Sequence, residues 1–360
     1  MVVKSTFWHN KTVLITGHTG FKGSWLSLWL QQLGAKVIGF SLESPTQTNL
    51  FEQADVSTGM KSIIGDIRDL AQLQLVFREV QPEIVFHLAA QSLVKESYSD
   101  PVNTYTTNVI GSLNVLEAVR QTPTIRSVVM VSTDKCYDNK EWAWGYREID
   151  PLGGHDPYSS SKGCMEIMIA SYRASYFPAE DYAQHKTAIA SARAGNVIGG
   201  GDWAADRLVP DILNGIKNNQ PISLRYPHAI RPWQHVLEPL CGYMLLAEKL
   251  FMHGSHYAQS WNFGPNDDSA KSVKWIAEYM LKKSASTLQV VMDNKAHLHE
   301  AHYLKLDCSK TNMELNWQAK WSLSEALDKV LSWSPSDKYS ARDLCLQQIA
   351  EYSASSVRNK

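Results

Sequence analysis

The run Gly17-His18-Thr19-Gly20-Phe21-Lys22-Gly23 stands between a β-rich segment, Thr12-Val13-Leu14-Ile15-Thr16, and a helix-like stretch from Trp25 to Leu33. Its spacing is GxxGxxG. A turn of this kind must reverse the chain within a few residues and bring backbone N–H groups against a phosphate, which side chains at the glycines would obstruct. The helix that follows presents the positive end of its dipole to the same anion. The chain is therefore constrained to a strand–turn–helix unit, and Gly17, His18, Gly20, Phe21, Lys22 and Gly23 are candidate contacts to a dinucleotide pyrophosphate.

The segments downstream fit that constraint. Lys36–Phe40, Ser62–Ile64, Glu83–His87, Ser127–Ser132 and Thr187–Ala192 are short apolar runs. Between them Val102 to Gln121 and Ser159 to Tyr176 read as helices. Apolar strands spaced by helices imply a parallel sheet covered on both faces, an α/β fold of the Rossmann type. The alternation weakens after about residue 193, where Gly and Pro become frequent. We expect residues 1–193 to form the dinucleotide-binding domain, with later returns of the chain to it. Residues 194–360 would mainly form a smaller C-terminal substrate-binding domain.

Composition narrows the function classes. The net charge is −1 with acidic and basic residues interleaved, so a nucleic-acid surface is not expected. The 5 Cys are scattered without a CxxC pair, which suits a reduced, cytoplasmic protein. Met1 to Asn10 lacks a long apolar region, so no signal peptide is expected, and no apolar run is long enough to span a bilayer.

An acidic residue normally ends the second strand to hold the adenosine ribose. Here the segment reads Phe40-Ser41-Leu42-Glu43, so Ser41 or Glu43 must serve. No Arg lies between residues 39 and 67 to grip a 2′-phosphate, which favours NAD over NADP. Asp66 and Ile67 are candidates for the adenine edge; a cap or turn role for Asp66 is the alternative.

Tyr158 and Lys162 are four apart, on one face of a helix. An ammonium beside a phenol favours the phenolate and moves its pKa down from about 10. Tyr279 and Lys283 share the spacing, but in a late amphipathic helix. Tyr158 instead follows the fifth strand, whose end carries Ser132-Thr133-Asp134-Lys135. Both segments should meet at the carboxyl edge of the sheet, where ligands bind in such folds.

These motifs together resemble the extended short-chain dehydrogenase/reductase family, in its nucleotide-sugar epimerase and dehydratase division. His87-Leu88-Ala89-Ala90-Gln91 and Asn108 resemble its active-site strand and helix. Thr133-Asp134 resembles the signature of the nucleotide-sugar 4,6-dehydratases. The runs Arg193 to Trp203 and Arg231-Pro232-Trp233-Gln234-His235-Val236 resemble its sugar-nucleotide segments. Leu306-Asp307, Ser309-Lys310, Leu315 and Trp317 resemble its closing motif. The likeness runs from about residue 10 to 335. It is nearest in GHTGFKGSWL, TDK and GNVIGGGDW to the branch acting on CDP-glucose.

The resemblance implies oxidation at C4 of a nucleotide-linked glucose, loss of water across C5 and C6, and return of the hydride to C6, so that NAD is regenerated. Tyr158, assisted by Lys162 and Thr133, would take the 4-hydroxyl proton, and Asp134 would protonate the departing 6-hydroxyl. Most family members place Glu after Thr-Asp as the C5 base. Here Lys135 stands instead, either as that base or as a cation stabilising the enolate. Leu88, Ala89 and Ala90 would flank the cofactor. Gln91, Ser92, Arg193, Asn196, Arg231 and Trp233 are the candidate substrate contacts, Arg231 on the diphosphate and Trp233 or Trp203 on the pyrimidine.

A 4-epimerase shares the turn, the Tyr and the Lys, but has no use for an acid at C6. Dehydratases of dTDP-, UDP- or GDP-sugars are further alternatives, and an inactive scaffold is the last. His297, His299 and His302 lie near Glu300 but match neither HExxH nor a zinc finger, so no metal is expected. The family likeness implies a homodimer, or a dimer of dimers, through the helices at 102–121 and 159–176. No membrane partner is expected.

Overall fold

A computed structural model describes residues 3–44, 46–293 and 303–356. The segment His297, His299, Glu300 and His302 lies outside the described residues. The chain forms β1 (Thr12–Thr16), α1 (Phe21–Gln32), β2 (Lys36–Ser41), β3 (Lys61–Ile64), β4 (Ile84–His87), β5 (Ser127–Val131), α2 (Pro157–Tyr176) and β6 (Ala188–Ala194). Then come β7 (Asn196–Ile198), β8 (Ile222–Leu224), β9 (Ile230–His235), α3 (Leu237–His253), β10 (Ser260–Phe263), β11 (Ala270–Ser272), β12 (Val290–Met292) and α4 (Ala341–Ala354). Further short helices connect them.

Among the described residues the main sheet has seven strands in the order β10-β6-β5-β4-β1-β2-β3. Every neighbouring pair is parallel. Alternate side chains of the central strands enter opposite cores. Val13, Ile15, Val129 and Val131 pack with Trp25, Trp29 and Trp261 on one face. Leu14, Val128 and Met130 pack with Phe40, Phe77 and Ile169 on the other. Burial on both faces explains the near-continuous apolar runs, and the Rossmann-type expectation holds.

The strand order reverses between β1 and β4, which opens a crevice at their carboxyl ends. The loops after the two strands touch there: a Cβ on Gly17 would lie 2.6 Å from Ala89 N and 2.9 Å from Leu88 C. Strands β11, β9 and β7 make a separate small sheet that carries Arg231 to His235, with Asn196 opposite Trp233.

Three elements differ from the sequence reading. First, α1 begins at Phe21, not Trp25, so the helix N-terminus is part of the glycine turn itself. Second, the helix expected over 102–121 is broken into Pro101–Tyr105, a π-helical turn Thr106–Gly111 and Ser112–Arg120. The wide turn carries Asn108, whose side chain reaches back to Gln91, and such insertions cluster at functional sites. Third, β10 is a seventh strand, added to β6 by the second half of the chain.

Candidate active site

The glycine turn closes on backbone contacts. Gly17 has φ +77°, a conformation that favours glycine, and its N–H donates to Phe40 O at 3.0 Å. A Cβ on Gly23 would lie 2.1 Å from Gly17 O. The His18 ring lies against Gly39 and its Nε2 pairs with Ser62 Oγ at 2.7 Å, so it braces the turn from beneath. Burial depresses the His18 ring to about 4, which keeps it neutral at pH 7.

Ser41 reaches the turn, but its hydroxyl bonds to Thr19 Oγ1 at 2.7 Å and donates to Leu42 O at 2.8 Å. Asp66 lies at the end of β3 in an ion pair with Arg68 at 2.5 Å. Ile67 is buried under the π turn, where the missing side chain of Gly111 makes room for it. Phe21 packs beside Gly199 at the mouth of the turn.

A buried polar chain holds the crevice floor. Thr16 Oγ1 bonds to His87 Nδ1 at 2.7 Å, and His87 Nε2 bonds to Ser112 Oγ at 2.8 Å. Burial lowers His87 to about 3. Ala89 N donates to Thr16 Oγ1 at 3.3 Å, and Leu88 N to Thr16 O at 3.0 Å. Ala90 continues this strand end. Asn108 accepts from Gln91 N and donates to Gln91 O and Ser161 Oγ, each at 2.9 Å, which ties the β4 end to α2.

Asp156 caps α2 by accepting from Ser159 N, and Pro157 follows at its start. The helix so placed buries both Tyr158 and Lys162. Thr133 caps the single turn Asp134–Cys136 after β5. Its hydroxyl donates to Asp134 Oδ1 at 3.0 Å, and it lies near enough to the Tyr158 phenol to act on it. Burial pushes Asp134 above the usual carboxylate range, as suits a proton donor. Lys135 is half-buried beside it.

Tyr279 and Lys283, the pair of equal spacing, instead both bond to Asp328, each at 2.9 Å.

The Tyr158 phenol departs from the sequence reading. Burial pushes it up to about 12, against the pull of Thr133 and the nearby Arg207 charge. The Lys162 ammonium does not offset this: its Nζ donates to Val131 O at 3.4 Å, and burial lowers it to about 8. Spacing reported the shared helix face correctly but not the desolvation.

The substrate candidates divide. Arg231 is buried on β9, and its charge acts on Asp134. Asn196 lies half-buried at the start of β7, and Ser92 sits at the crevice rim near Arg207 Nη2 at 3.5 Å. Three others are engaged within the protein itself. Gln91 spends its amide locally, donating to Leu93 O and Thr104 Oγ1 and accepting from Leu93 N. Trp233 packs in an apolar cluster with Ile198, Ile276 and Met280, so its ring is core rather than a platform for a base. Arg193 is buried and pairs with Glu166 at 2.8 Å.

Two cations at the crevice take places that the sequence does not mark. Lys22 belongs to the turn, and its ammonium also lies within electrostatic reach of Asp134, Lys162 and Arg207, with burial lowering it to about 8. Arg207 pairs with Asp202 at 3.0 Å and stands over the same crevice. Nothing in the run Asp206-Arg207-Leu208 marks it, since its place depends on how the second half folds back.

A family model described as GDP-mannose 4,6 dehydratase matches residues 14–330. A CDP-glucose 4,6-dehydratase of Salmonella typhimurium is 52% identical over 332 residues, 92% of this chain and 92% of that protein. A dTDP-glucose 4,6-dehydratase of Haemophilus influenzae is 23% identical over 89% of this chain and 97% of its own length. Among solved structures, a UDP-glucose 4-epimerase of Thermotoga maritima has a TM-score of 0.77 at 21% identity, covering 89% of this chain and 97% of that one. A dTDP-glucose 4,6-dehydratase of Bacillus anthracis, solved with NAD, has a TM-score of 0.73 at 22% identity, covering 90% and 96%. These two likenesses carry the fold. The family match, with a relative sharing half of all residues across nearly the whole length, establishes that the chain belongs to the GDP-mannose 4,6 dehydratase family.

Proposed function

We propose that this chain is an NAD-dependent hydro-lyase that converts CDP-glucose to CDP-4-dehydro-6-deoxyglucose. The observation that carries the reading is the buried group Thr133, Asp134, Tyr158 and Lys162, in which the Thr133 hydroxyl donates to the Asp134 carboxyl and stands beside the Tyr158 phenol, with the Lys135 amine next in sequence. The named activity of the Salmonella typhimurium relative supports the choice of substrate. The glycine turn fits a dinucleotide: Gly17 and Gly23 leave no room for side chains, and α1 starts within the turn. Bound there, a nicotinamide dinucleotide supplies a hydride acceptor for C4 and a positive charge.

On this reading Tyr158 takes the 4-hydroxyl proton through Thr133. Its raised phenol means that ionisation is helped by the nearby Arg207 charge. Once C4 is a ketone, the C5 proton is acidic, and Lys135 is the base placed to remove it. Asp134 gives its proton to the 6-hydroxyl, which leaves as water. Arg231 and Asn196 face the nucleotide diphosphate.

Incubation with CDP-, dTDP-, UDP- and GDP-glucose in deuterated water tests this. Water should be lost from CDP-glucose, with deuterium entering at C5. An epimerised sugar that retains its 6-hydroxyl would overturn the assignment. In the same assay Lys135→Ala should slow C5 exchange by about 10²-fold or more. Unchanged exchange would leave Lys135 without the base role.

We also propose that residues 1–193 with β10 form the cofactor unit and that most of 194–360 forms the substrate unit. The chain would act in the cytoplasm: among the described residues no helix is long and apolar enough to cross a membrane, and no cysteine is in a disulfide. A homodimer is proposed through the face shared by α2 and the segments 94–120. There Val102, Ile110, Ile167 and Tyr176 are large apolar side chains left exposed. Ile167→Glu should convert a sedimenting dimer to monomer without lowering the thermal midpoint of the folded chain; a monomeric parent protein would sink the proposal.

A further inference from the structure

We propose that Arg193, held by Glu166, is a positioning residue for proton removal at C5, acting through Tyr137 on the Thr133–Lys135 segment. The inference rests on the dehydratase reading and adds to it a part that the turn itself lacks.

Asp134–Cys136 is a single three-residue helical turn. It is too short for helical cooperativity to hold it. Its internal support is weak: Lys135 N to Thr133 Oγ1 at 3.3 Å and Cys136 N to Thr133 O at 3.4 Å. Where Asp134 and Lys135 stand is therefore decided by what grips the two ends. Thr133 is one end. Tyr137, immediately after the turn, is the other.

Tyr137 is buried and gripped at its tip. Its hydroxyl accepts from Arg193 Nη1 at 2.7 Å and donates to Asn262 Oδ1 at 2.8 Å. Its ring stacks on Tyr146, with centroids 5.1 Å apart and planes at 22°. The same guanidinium donates to Glu148 O at 3.1 Å and to Glu166 Oε2 at 2.8 Å. Glu166 in turn accepts from Ser191 Oγ at 2.7 Å. Asn262 donates onward to Tyr146 O at 2.8 Å and Asp307 O at 3.0 Å. The line from α2 through β6 to the turn and β10 is thus made of directional bonds between groups with almost no exposure.

A buried ion pair is a poor way to gain stability, because apolar residues of similar volume often serve as well. What a planar guanidinium adds is direction: its donors leave in fixed orientations and set the phenol to within a few tenths of an ångström. Placement on that scale matters for proton transfer, where an error of about 1 Å can cost roughly a hundredfold in rate. The Arg193–Glu166 pair stands where the C5 base and the C6 acid need such placement.

Tyr137→Phe removes only the hydroxyl and keeps the ring on Tyr146. It leaves Arg193 paired with Glu166, so the variant should fold. The expected result is a fall in kcat of roughly tenfold to a hundredfold with KM unchanged. In parallel, CDP-glucose carrying deuterium at C5 should show a larger isotope effect on kcat than with the parent enzyme, because C5 proton removal has become slower relative to other steps. Arg193→Lys, which keeps the charge but loses the fork, should raise the isotope effect in the same sense. A structural role alone would lower kcat only in proportion to the folded fraction and leave the isotope effect where it was. That outcome, or unchanged kcat in Tyr137→Phe, overturns the inference while the dehydratase reading stands. A parent enzyme that removes no water from any nucleotide-glucose overturns both.

Discussion

Tyr158→Phe should lower kcat for water loss from CDP-glucose by about 10³-fold, within the range for removal of a general acid–base group. The change deletes one oxygen from a buried ring that stands beside Thr133. Thr133 keeps its bond to Asp134 and its capping role, so the 133–136 turn should survive. KM should stay within about twofold, because the oxygen matters where the 4-hydroxyl proton moves rather than where the nucleotide is held. Steady-state kinetics with circular dichroism as a folding control decides the matter. A variant within tenfold of the parent would mean that another group takes the proton.

The second large effect is expected at Gly23→Ala. The added Cβ would fall 2.1 Å from Gly17 O, 2.7 Å from His18 Cα and 2.8 Å from Gly17 C. All three are backbone atoms that no rotamer change can move. The turn must open, at a cost of about 3 kcal/mol or more, the upper part of the usual range for overpacking. Opening it displaces the N–H groups that α1 aims at a pyrophosphate, so dinucleotide affinity should fall by about 10²-fold or more. Gly20→Ala is the control: its Cβ would meet Gly17 O only at 3.4 Å and its φ is −77°. That variant should melt near the parent. Cofactor titration by Trp fluorescence and thermal unfolding read both changes, and equal behaviour of the two variants would refute the steric account.

Much of this was legible in the sequence because backbone chemistry dictated it. The glycine turn needs residues without side chains, and fully buried strands need uninterrupted apolar runs. Those signals located β1 to β6 and the turn. Tyr158 and Lys162 were legible as neighbours because helical spacing sets them on one face. Their protonation was not, since desolvation depends on which segments later cover them. The four residues Ser260–Phe263 include a Ser and an Asn and lie among helices, so nothing local marks them as a strand. An Arg in a strand reads alike whether it meets a phosphate or, as Arg193 meets Glu166, a buried carboxylate. Trp233 shows the same limit, an aromatic whose role depends on its neighbours. The π turn was hidden because Thr106–Gly111 continues a helical pattern and departs from it only by one inserted residue's width.

The late arrival of β10 bears on how the molecule is made. Until Ser260–Phe263 is synthesised, β6 is a bare edge whose hydrogen-bonding groups can recruit foreign chains. The phenol of Tyr137 also lacks its Asn262 acceptor over that interval. A nascent chain halted after residue 194 would hold the glycine turn, Tyr158 and Lys162 and still have its elimination machinery unanchored. Both the β6 edge and the Tyr137 anchor thus wait on the same late strand, and fragments released before it leave that edge open.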